Sequence, residues 1–221
     1  MLTFLKRELE PDVMDRAADS HIFDHVARAH APLDNMFINS LSDVPGENPS
    51  ILDVGCGTGL LTLQMAETFP AADVTGIDLS VPMLDLARQN SRSTGRAGPT
   101  FIRADATDLP FESNSFELAV SHHSLHHIPD PSHMLNEMLR VTKPGGTIAI
   151  RDLCRPFTSI ALEAVTLLGG QIYRGLGDCA ARARKMFKQS LGASLNRPEW
   201  YELASGAGIP PHCVTINPLF A

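Results

Sequence analysis

Short apolar runs alternate with amphipathic segments through the middle of the chain. Each short run is bounded by turn-forming residues, a pattern that is typical of strands buried in a sheet. The longer segments between them have apolar residues at helical spacing, and predicted helices begin near Leu60, Val81 and Ser132. The predicted strands are Ile51–Val54, Asp73–Asp78, Thr100–Arg103, Phe116–Ser121 and Thr147–Asp152.

This alternation predicts an α/β fold. Strands that alternate with helices favour right-handed β-α-β units, and hence a Rossmann-like, doubly wound, mostly parallel sheet with helices on both faces. Ligands of such sheets bind beyond the carboxyl ends of the strands, near the point where the strand order reverses. Residues with a chemical role are therefore expected in the loops that follow the strands.

Both flanks of this core have a helical pattern. Residues 1–42 have apolar positions typical of a helix, and the turn-forming run Pro45–Pro49 follows them. A helical insertion interrupts the alternation at about residues 156–208, with its last helix beginning near Pro198. Only His212–Asn217 is left as a candidate final strand, so the edge of the sheet after the insertion is predicted to be short of a strand or to have another role.

Charge argues against general nucleic-acid binding. The chain has a formal net charge of −7, whereas phosphate neutralisation needs a basic face. Eight basic and three acidic residues lie between Arg151 and Arg197, which gives +5 there and −12 elsewhere. This asymmetry indicates either a solvated helix face or a surface for an anionic substrate or partner.

Cysteine spacing and hydropathy suggest a cytoplasmic protein. The four cysteines form no Cys-x-x-Cys pair, and residues 1–10 do not resemble a signal peptide. The longest apolar stretch, residues 160–172, is broken by Glu163 and two glycines and is too short to span a bilayer. We expect no stable membrane insertion.

A glycine-rich loop follows the first predicted strand. Residues 53–59 read Asp-Val-Gly-Cys-Gly-Thr-Gly and run from the strand into a helix. Glycine permits a sharp turn and a close approach of a ligand to the backbone, and the helix that follows offers unpaired N–H groups. The spacing differs from the dinucleotide pattern G-x-G-x-x-G, because Leu60 follows Gly59. Taken alone, the loop is also compatible with a structural turn.

Asp78 strengthens the interpretation of this loop as a ligand site. It ends the second predicted strand, 19 residues after Gly59. A carboxylate about 20 residues past the glycine loop accepts hydrogen bonds from ribose hydroxyls in folds of this kind. The alternative is a surface acid beside a helix N-cap.

These motifs, with two that follow, resemble the class I S-adenosylmethionine-dependent methyltransferases, in particular the small-molecule type that includes the ubiquinone and menaquinone methyltransferases. The resemblance covers residues 48–152. Its four parts occur in order, and they are the glycine loop, the acid in Gly-Ile-Asp-Leu-Ser, the segment 104–111, and the stretches 126–131 and 139–146. It implies a single domain with an N-terminal helical cap (1–47), a cofactor-binding core (48–152) and a substrate-covering region with the final edge strand (153–221).

The resemblance also assigns roles to individual residues. Asp78 would hold the ribose hydroxyls, Leu79 would pack on the adenine or ribose, and Asp105 and Ala106 would face the adenine. Gly55, Gly57 and Gly59 would line the methionine half of S-adenosylmethionine, with Asp53 nearby. Cys56 and Ser121 would also bind the cofactor.

The histidines after the fourth predicted strand are the candidates for acceptor chemistry. His122 and His123 lie nearest the end of the strand and are predicted to act on the acceptor as a general base, with His126 contacting substrate. A structural role for the cluster is the main alternative. No metal site is expected, since no carboxylate or cysteine completes a ligand set nearby in the sequence.

Two arginines and an apolar set are candidates for substrate binding after the fifth strand. Arg151 either pairs with Asp152 or, like Arg155, clamps an anionic acceptor. The apolar residues of the insertion either pack a core, cover a small substrate or form a homodimer surface; they are Phe157, Leu162, Leu167, Leu168, Ile172, Tyr173, Met186 and Phe187.

Methyl transfer to a small-molecule acceptor is the function that the sequence predicts. The first alternative is a non-catalytic sensor or scaffold that binds S-adenosylmethionine or S-adenosylhomocysteine. A nicotinamide-dependent oxidoreductase is disfavoured by Leu60 and by the lack of a Tyr-x-x-x-Lys pair. Nucleic-acid methylation is disfavoured by the acidic charge and by the lack of a base-flipping loop after the fourth strand.

Overall fold

The computed structural model describes residues 5–10, 17–41, 46–92 and 98–210 of the 221-residue chain. These residues fall into two compact units. The sheet unit comprises residues 17–41, 46–92, 98–124 and 133–151, and the helical unit comprises residues 5–10, 125–132 and 152–210. The predicted strand His212–Asn217 lies outside the described residues.

The sheet unit is built on five parallel strands. Its strands are β1 (Ser50–Val54), β2 (Asp73–Asp78), β3 (Thr100–Arg103), β4 (Phe116–His122) and β5 (Thr142–Arg151). Helices of the same unit are α1 (Ala17–Asn39), α2 (Leu60–Thr68) and α3 (Val81–Arg92), and α4 (Pro131–Val141) belongs to it from His133 onward.

The strand order is β3-β2-β1-β4-β5, with every pairing parallel. The order reverses between β1 and β4, so their carboxyl ends border the crevice where such sheets bind ligands. Val54 and Gly55 leave β1 on this edge, and Ser121 and His122 end β4 there. This is the Rossmann-like α/β fold that the alternating pattern predicts.

The apolar faces of α1, α2 and the sheet form the core of this unit. Full burial of one large apolar side chain in such a core stabilises the folded state by about 1.5–3 kcal/mol. Because Ile38 of α1 packs in this core with residues of the strands, α1 covers one face of the sheet. The core residues are Ile38, Leu41, Ile51, Leu61, Met65, Val74, Leu118 and Val120.

Two element predictions need correction. Residues 1–42 were expected to be helical, but residues 5–10 are not helical and α1 begins at Ala17. The fifth strand was expected to begin at Thr147, whereas β5 begins at Thr142. Regular pairing with β4 resumes only where Thr147 lies opposite Leu118, because an irregularity occupies the Lys143–Gly146 turn.

The helical unit contains the predicted insertion. Its helices are α5 (Ser159–Gly169), α6 (Ala180–Ala193) and α7 (Arg197–Gly206), with 3-10 segments at Leu125–His127 and Gly170–Cys179. α7 begins with a reciprocal cap, in which Asn196 and Glu199 each accept a hydrogen bond from the other's backbone N–H. In the described part of the chain, no helix has both the length and the apolar character needed to cross a bilayer.

Candidate functional site

The glycine loop turns sharply at the end of β1. Gly55, Gly57 and Gly59 have φ values of 76°, 53° and 75°, a region that residues with a Cβ rarely adopt. The backbone N–H groups of Gly55 and Cys56 both donate to the carbonyl of Ile77, at 2.9 and 2.8 Å. The loop is therefore fixed to the neighbouring strand β2 by its own backbone.

Side chains of the protein itself also require two of these glycines. A Cβ at Gly55 would lie 1.9 Å from Oγ of Ser124, and one at Gly59 would lie 2.8 Å from the Phe101 ring. At Gly57 the ring of Phe23 in α1 lies 3.3 Å from the Cβ position. Glycine is therefore required at these positions by close packing as well as by the turn that the sequence predicts.

Asp78 joins the end of β2 to the glycine loop. Its Oδ2 accepts a hydrogen bond from the N–H of Gly57 at 2.8 Å, and its Oδ1 accepts one from the N–H of Ser80 at 2.8 Å. The side chain is half-buried, and a carboxylate oxygen can accept more than one hydrogen bond. The glycine loop and Asp78, which lies 19 residues after Gly59, are thus joined directly by a hydrogen bond.

Two buried oxygens at the ends of β1 and β4 have no hydrogen-bond partner among the described residues. They are Oδ1 of Asp53 and Oγ of Ser121, in side chains that are almost wholly buried. The other carboxylate oxygen of Asp53 accepts from Oγ1 of Thr62 at 2.6 Å. The pKa of Asp53 is raised to about 7, chiefly by burial; the Thr62 hydrogen bond lowers it and the nearby charge of Asp78 raises it.

The residues predicted for the adenine lie after β2 and β3. Leu79 is exposed to 46%, which leaves its side chain available for packing. Asp105 is exposed, and its Oδ1 accepts from both the N–H and the hydroxyl of Thr107, at 2.8 and 2.7 Å. Ala106 is buried in the turn that this hydrogen bonding stabilises.

His122 is held at the end of β4 by two residues of α1. Its ring stacks on Phe37, with centroids 5.7 Å apart and planes 20° apart. Its Nε2 lies 3.3 Å from Oδ1 of Asp34, which is itself buried. Burial raises the pKa of Asp34, while the charge of Arg151 opposes that shift. The carboxylate and the ring together orient the imidazole.

Arg151 completes this cluster. Its Nη1 lies 3.1 Å from Oδ1 of Asp34 and 3.1 Å from Nε2 of His122. When Nε2 carries a proton it can donate to Asp34, and the lone pair is then on Nδ1. The arrangement can thus switch His122 between two tautomers, and a carboxylate-bound imidazole is suited to accept a proton.

His123 adopts an unusual backbone conformation next to this cluster. Its φ is 52°, and strained non-glycine residues of this kind concentrate at functional sites. Its N–H donates to the carbonyl of Arg151 at 2.8 Å, and its ring lies 4.2 Å from that of His122. The two histidines predicted to act on the acceptor therefore lie side by side.

Arg151, Arg155 and His126 each have a partner within the protein. Arg151 pairs with Asp34. Asp152 instead binds His126, with its Oδ1 2.5 Å from Nδ1 of the ring. Arg155 is 1% exposed, and its guanidinium binds the carboxylate of Glu199 and the carbonyls of Ser194 and Leu5.

Arg155 and His126 are thus buried among internal partners, and substrate binding by either residue stays a prediction. His126 is 2% exposed and, like Arg155, belongs to the helical unit. The sequence put both beside the acceptor because each follows a strand closely.

Asp34 and Phe37 are the residues that the sequence did not single out. Both lie within α1, and no motif marks them. The available signal was a carboxylate and an aromatic ring three positions apart in an amphipathic helix, and these share a helix face. Nothing in the sequence says which strand that face would meet.

The apolar residues of the insertion divide between core and surface. Tyr173 and Leu162 are buried, and the Tyr173 ring packs edge-on against Phe187 at 5.8 Å. Ile160, Leu167 and Leu168 of α5 are exposed to 79%, 63% and 72%. The first group forms the core of the helical unit, and the second leaves an apolar face.

Residues 52–150 match the family model described as a methyltransferase domain. The matched segment contains the motifs that resemble the class I S-adenosylmethionine-dependent methyltransferases. The glycine loop, Asp78 and the end of β4 all lie within the matched segment. The matched segment ends at Ile150, one residue before Arg151.

Two curated relatives of the methyltransferase domain are demethylmenaquinone methyltransferases. The protein from Lactococcus lactis is 32% identical over 140 residues, which are 63% of this chain and 56% of that protein. The protein from Staphylococcus aureus is 31% identical over 153 residues, which are 69% of this chain and 63% of that protein. The chain thus spans less than two thirds of either relative.

A solved structure shares the fold of this chain. The YcgJ protein of Bacillus subtilis aligns with a TM-score of 0.61 at 21% identity, over 80% of this chain and 68% of that one. At this identity the likeness concerns the fold alone.

Proposed function

We propose that this protein transfers a methyl group from S-adenosylmethionine to a small-molecule acceptor. The observation that carries the proposal is the junction of the glycine loop with Asp78, at the switch point of a methyltransferase domain. The junction puts a turn with three glycines and a half-buried carboxylate at one edge of the sheet. That edge is where doubly wound folds bind nucleoside ligands.

The residues around this junction fit the proposed cofactor. Asp78 offers a half-buried carboxylate to the ribose hydroxyls, and exposed Leu79 offers an apolar surface to the adenine. The unpartnered oxygens of Asp53 and Ser121 suit the polar methionine end, since a buried polar atom without a partner costs about 1–3 kcal/mol. The remaining proposed contacts are Gly55, Cys56, Gly57, Gly59, Asp105 and Ala106.

Bound S-adenosylmethionine supplies an activated methyl group on a sulfonium. The protein's part is to orient the acceptor, which accounts for about 7–11 kcal/mol in well-aligned reactions. A general base adds about 10²–10⁴-fold. We propose that His122, held by Asp34, takes the acceptor proton through Nδ1, with His123 beside it and Arg151 balancing the charge on Asp34.

The proposed acceptor carries an acidic hydroxyl or an activated aromatic carbon. The methyl–sulfur bond breaks as the new acceptor–methyl bond forms, S-adenosylhomocysteine leaves, and the acceptor proton passes to the imidazole. Support comes from the carboxylate-bound histidine and from the two relatives, which are named for demethylmenaquinone. A hydroquinone of a naphthoquinone is therefore the first acceptor to test.

The sensor alternative, the homodimer and the cellular location are three further points of the sequence-based prediction. A non-catalytic S-adenosylmethionine sensor is not favoured, because the relatives are named as methyltransferases. A homodimer through the exposed face of α5 stays a prediction, and light scattering of the purified protein would test it. Cytoplasmic location also stays a prediction.

The proposal is tested by incubating the protein with methyl-labelled S-adenosylmethionine and a panel of reduced naphthoquinones, catechols, phenols and amines. We expect the label to appear in an acceptor that bears an aromatic hydroxyl, on its oxygen or on an activated ring carbon. One S-adenosylhomocysteine should form for each methyl group transferred. His122→Ala is the matched variant, and His133→Ala, which removes an exposed histidine of α4, is its control. Tight binding of S-adenosylmethionine without transfer to any acceptor would favour the sensor alternative.

A further inference from the structure

The helical unit contains a cluster of three groups that can bind a metal ion. Glu10, His126 and His127 each offer one ligand atom, and these atoms all lie within 4.8 Å of one another. Oε2 of Glu10 lies 3.1 Å from Nδ1 of His127, and its Oε1 lies 4.0 Å from Nε2 of His126. The cluster plays no part in the function proposed above.

The separations match a metal site with two nitrogens and one oxygen. With Zn–N and Zn–O bonds near 2.1 Å, neighbouring ligand atoms of a tetrahedral ion lie about 3.4 Å apart. The two measured separations fall on either side of this value, so an ion needs only small side-chain adjustments. Two imidazoles and a carboxylate are a ligand set that zinc prefers.

The protonation of His126 leaves a lone pair that faces Glu10. Asp152 binds Nδ1 of His126 at 2.5 Å and also accepts the backbone N–H of the same residue at 2.9 Å. When Nδ1 donates its proton to Asp152, the lone pair of the ring lies on Nε2. Nε2 and the Glu10 carboxylate then face each other as two acceptors, an arrangement that a cation between them stabilises.

Asp152 occupies the position of a supporting residue. Metal-bound histidines commonly donate their other ring N–H to a carboxylate, which fixes the tautomer and the orientation of the ring. Asp152 is buried and also accepts the N–H of Leu153 at 2.7 Å, so its own position is fixed. Oγ of Ser190 donates to Oε1 of Glu10 at 2.5 Å and holds the third ligand.

Arg7 fixes the segment that carries Glu10. Its guanidinium donates to the carbonyls of Ile128, Pro129 and Ala193 at 2.7, 2.9 and 2.6 Å. The N–H of Glu8 donates to the carbonyl of Gly192 at 3.1 Å. The carboxylate is thus brought to the histidines by contacts that do not depend on an ion.

We propose that Glu10, His126 and His127 bind one divalent transition-metal ion of the zinc class, with Asp152 as the supporting carboxylate. The ion joins the N-terminal segment 5–10 to the turn at residues 125–132. This revises the expectation of no metal site, which rested on the lack of a carboxylate nearby in the sequence. Glu10 is far from the histidines along the chain and becomes their neighbour only through the fold.

The test is a titration of the chelator-treated full chain with Zn²⁺ against a competing chromophoric chelator, with Co²⁺ as a spectroscopic probe. We expect one ion per chain, the intense visible bands of tetrahedral Co²⁺, and a rise in Tm on addition of Zn²⁺. Glu10→Gln and His127→Ala should each weaken binding at least tenfold. Asp152→Asn should weaken it about 10–100-fold, as loss of supporting carboxylates does elsewhere.

His133→Ala is the matched control, and its Zn²⁺ affinity should equal that of the wild type. Circular dichroism of each metal-free variant checks the fold, and Glu10→Gln is nearly isosteric, so it keeps the test valid if a histidine variant does not fold. Absence of stoichiometric binding would overturn the proposal. So would Glu10→Gln and His127→Ala proteins that bind Zn²⁺ as tightly as His133→Ala.

Discussion

The backbone N–H of Gly57 donates a 2.8 Å hydrogen bond to Oδ2 of Asp78. This bond joins the loop after β1 to the end of β2 on one side of the switch point. Asp78 therefore shapes the glycine loop, and we propose that it also presents its carboxylate to the ligand. Removal of the Asp78 side chain should therefore weaken ligand binding more than removal of an exposed side chain that makes no such hydrogen bond.

Replacing Gly55 by alanine should destabilise the fold more than the same change at Gly145. Both residues have positive φ, 76° and 81°, so each substitution introduces backbone strain of about 1–2 kcal/mol. Only at Gly55 does the new Cβ meet another atom, Oγ of Ser124 at 1.9 Å, and overpacking adds about 1–3 kcal/mol. Urea unfolding of both variants measures the difference.

A Gly55→Ala protein as stable as Gly145→Ala would show that the loop relaxes around the methyl group. The double variant Gly55→Ala, Ser124→Gly is a further check, because it removes the Ser124 side chain. It should recover the part of the loss that comes from the clash and leave the part that comes from strain.

The pKa of Asp53 predicts how stability changes with pH. In the unfolded chain an aspartate titrates near 3.9, whereas burial raises the pKa of folded Asp53 to about 7. The folded state thus holds one more proton between these values, and stability falls with each unit of pH. The contribution of Asp53 is therefore full near pH 4 and is lost as the pH rises through 7. Unfolding of wild type and Asp53→Asn between pH 4 and 8 should show this slope only in the wild type.

The same carboxyl should make cofactor binding depend on pH. We expect the cationic methionine end of S-adenosylmethionine to favour ionised Asp53, so that its pKa falls on binding. Affinity should then rise with pH up to about 7 and level off above it. Calorimetry in two buffers of different ionisation enthalpy should detect release of a proton below pH 7. An Asp53→Asn protein with the same pH dependence would contradict this assignment.

His122→Ala should reduce turnover without loss of cofactor binding. Removal of a general base lowers kcat by about 10²–10⁴-fold. Asp34→Asn should also lower kcat and should shift the pH–rate profile, because the carboxylate positions His122 through Nε2 at 3.3 Å. Binding of S-adenosylhomocysteine should stay within twofold of wild type in both. A parallel loss of cofactor affinity would assign the cluster to cofactor binding instead.

Arg155→Met should weaken the helical unit and leave cofactor binding intact. The change breaks a buried ion pair with Glu199 and two hydrogen bonds to carbonyls, at a cost of about 3 kcal/mol. Arg197→Met, at an exposed position of α7, is the control and should unfold like the wild type. Thermal unfolding measures both. Unchanged stability of Arg155→Met together with weaker acceptor binding would instead support the prediction that Arg155 binds an anionic acceptor.

Much of the sheet could be predicted from the sequence because its signals are local. The strands at 73–78 and 100–103 have the bounds that the apolar runs indicate, and the loop at residues 53–59 is encoded by consecutive glycines. The roles of Arg151 and Asp152 could not be predicted from adjacency. Neighbours along a strand point to opposite faces, and these two residues take their partners, Asp34 and His126, from distant segments.

Binding of S-adenosylmethionine tests the account most directly. Purified protein would be titrated calorimetrically with S-adenosylmethionine, S-adenosylhomocysteine and NAD⁺, together with Asp78→Ala and the exposed control Asp73→Ala. We predict micromolar binding of both adenosyl compounds and none of NAD⁺, with binding lost in Asp78→Ala and retained in Asp73→Ala. No adenosyl binding, or a preference for NAD⁺, would contradict the proposed function.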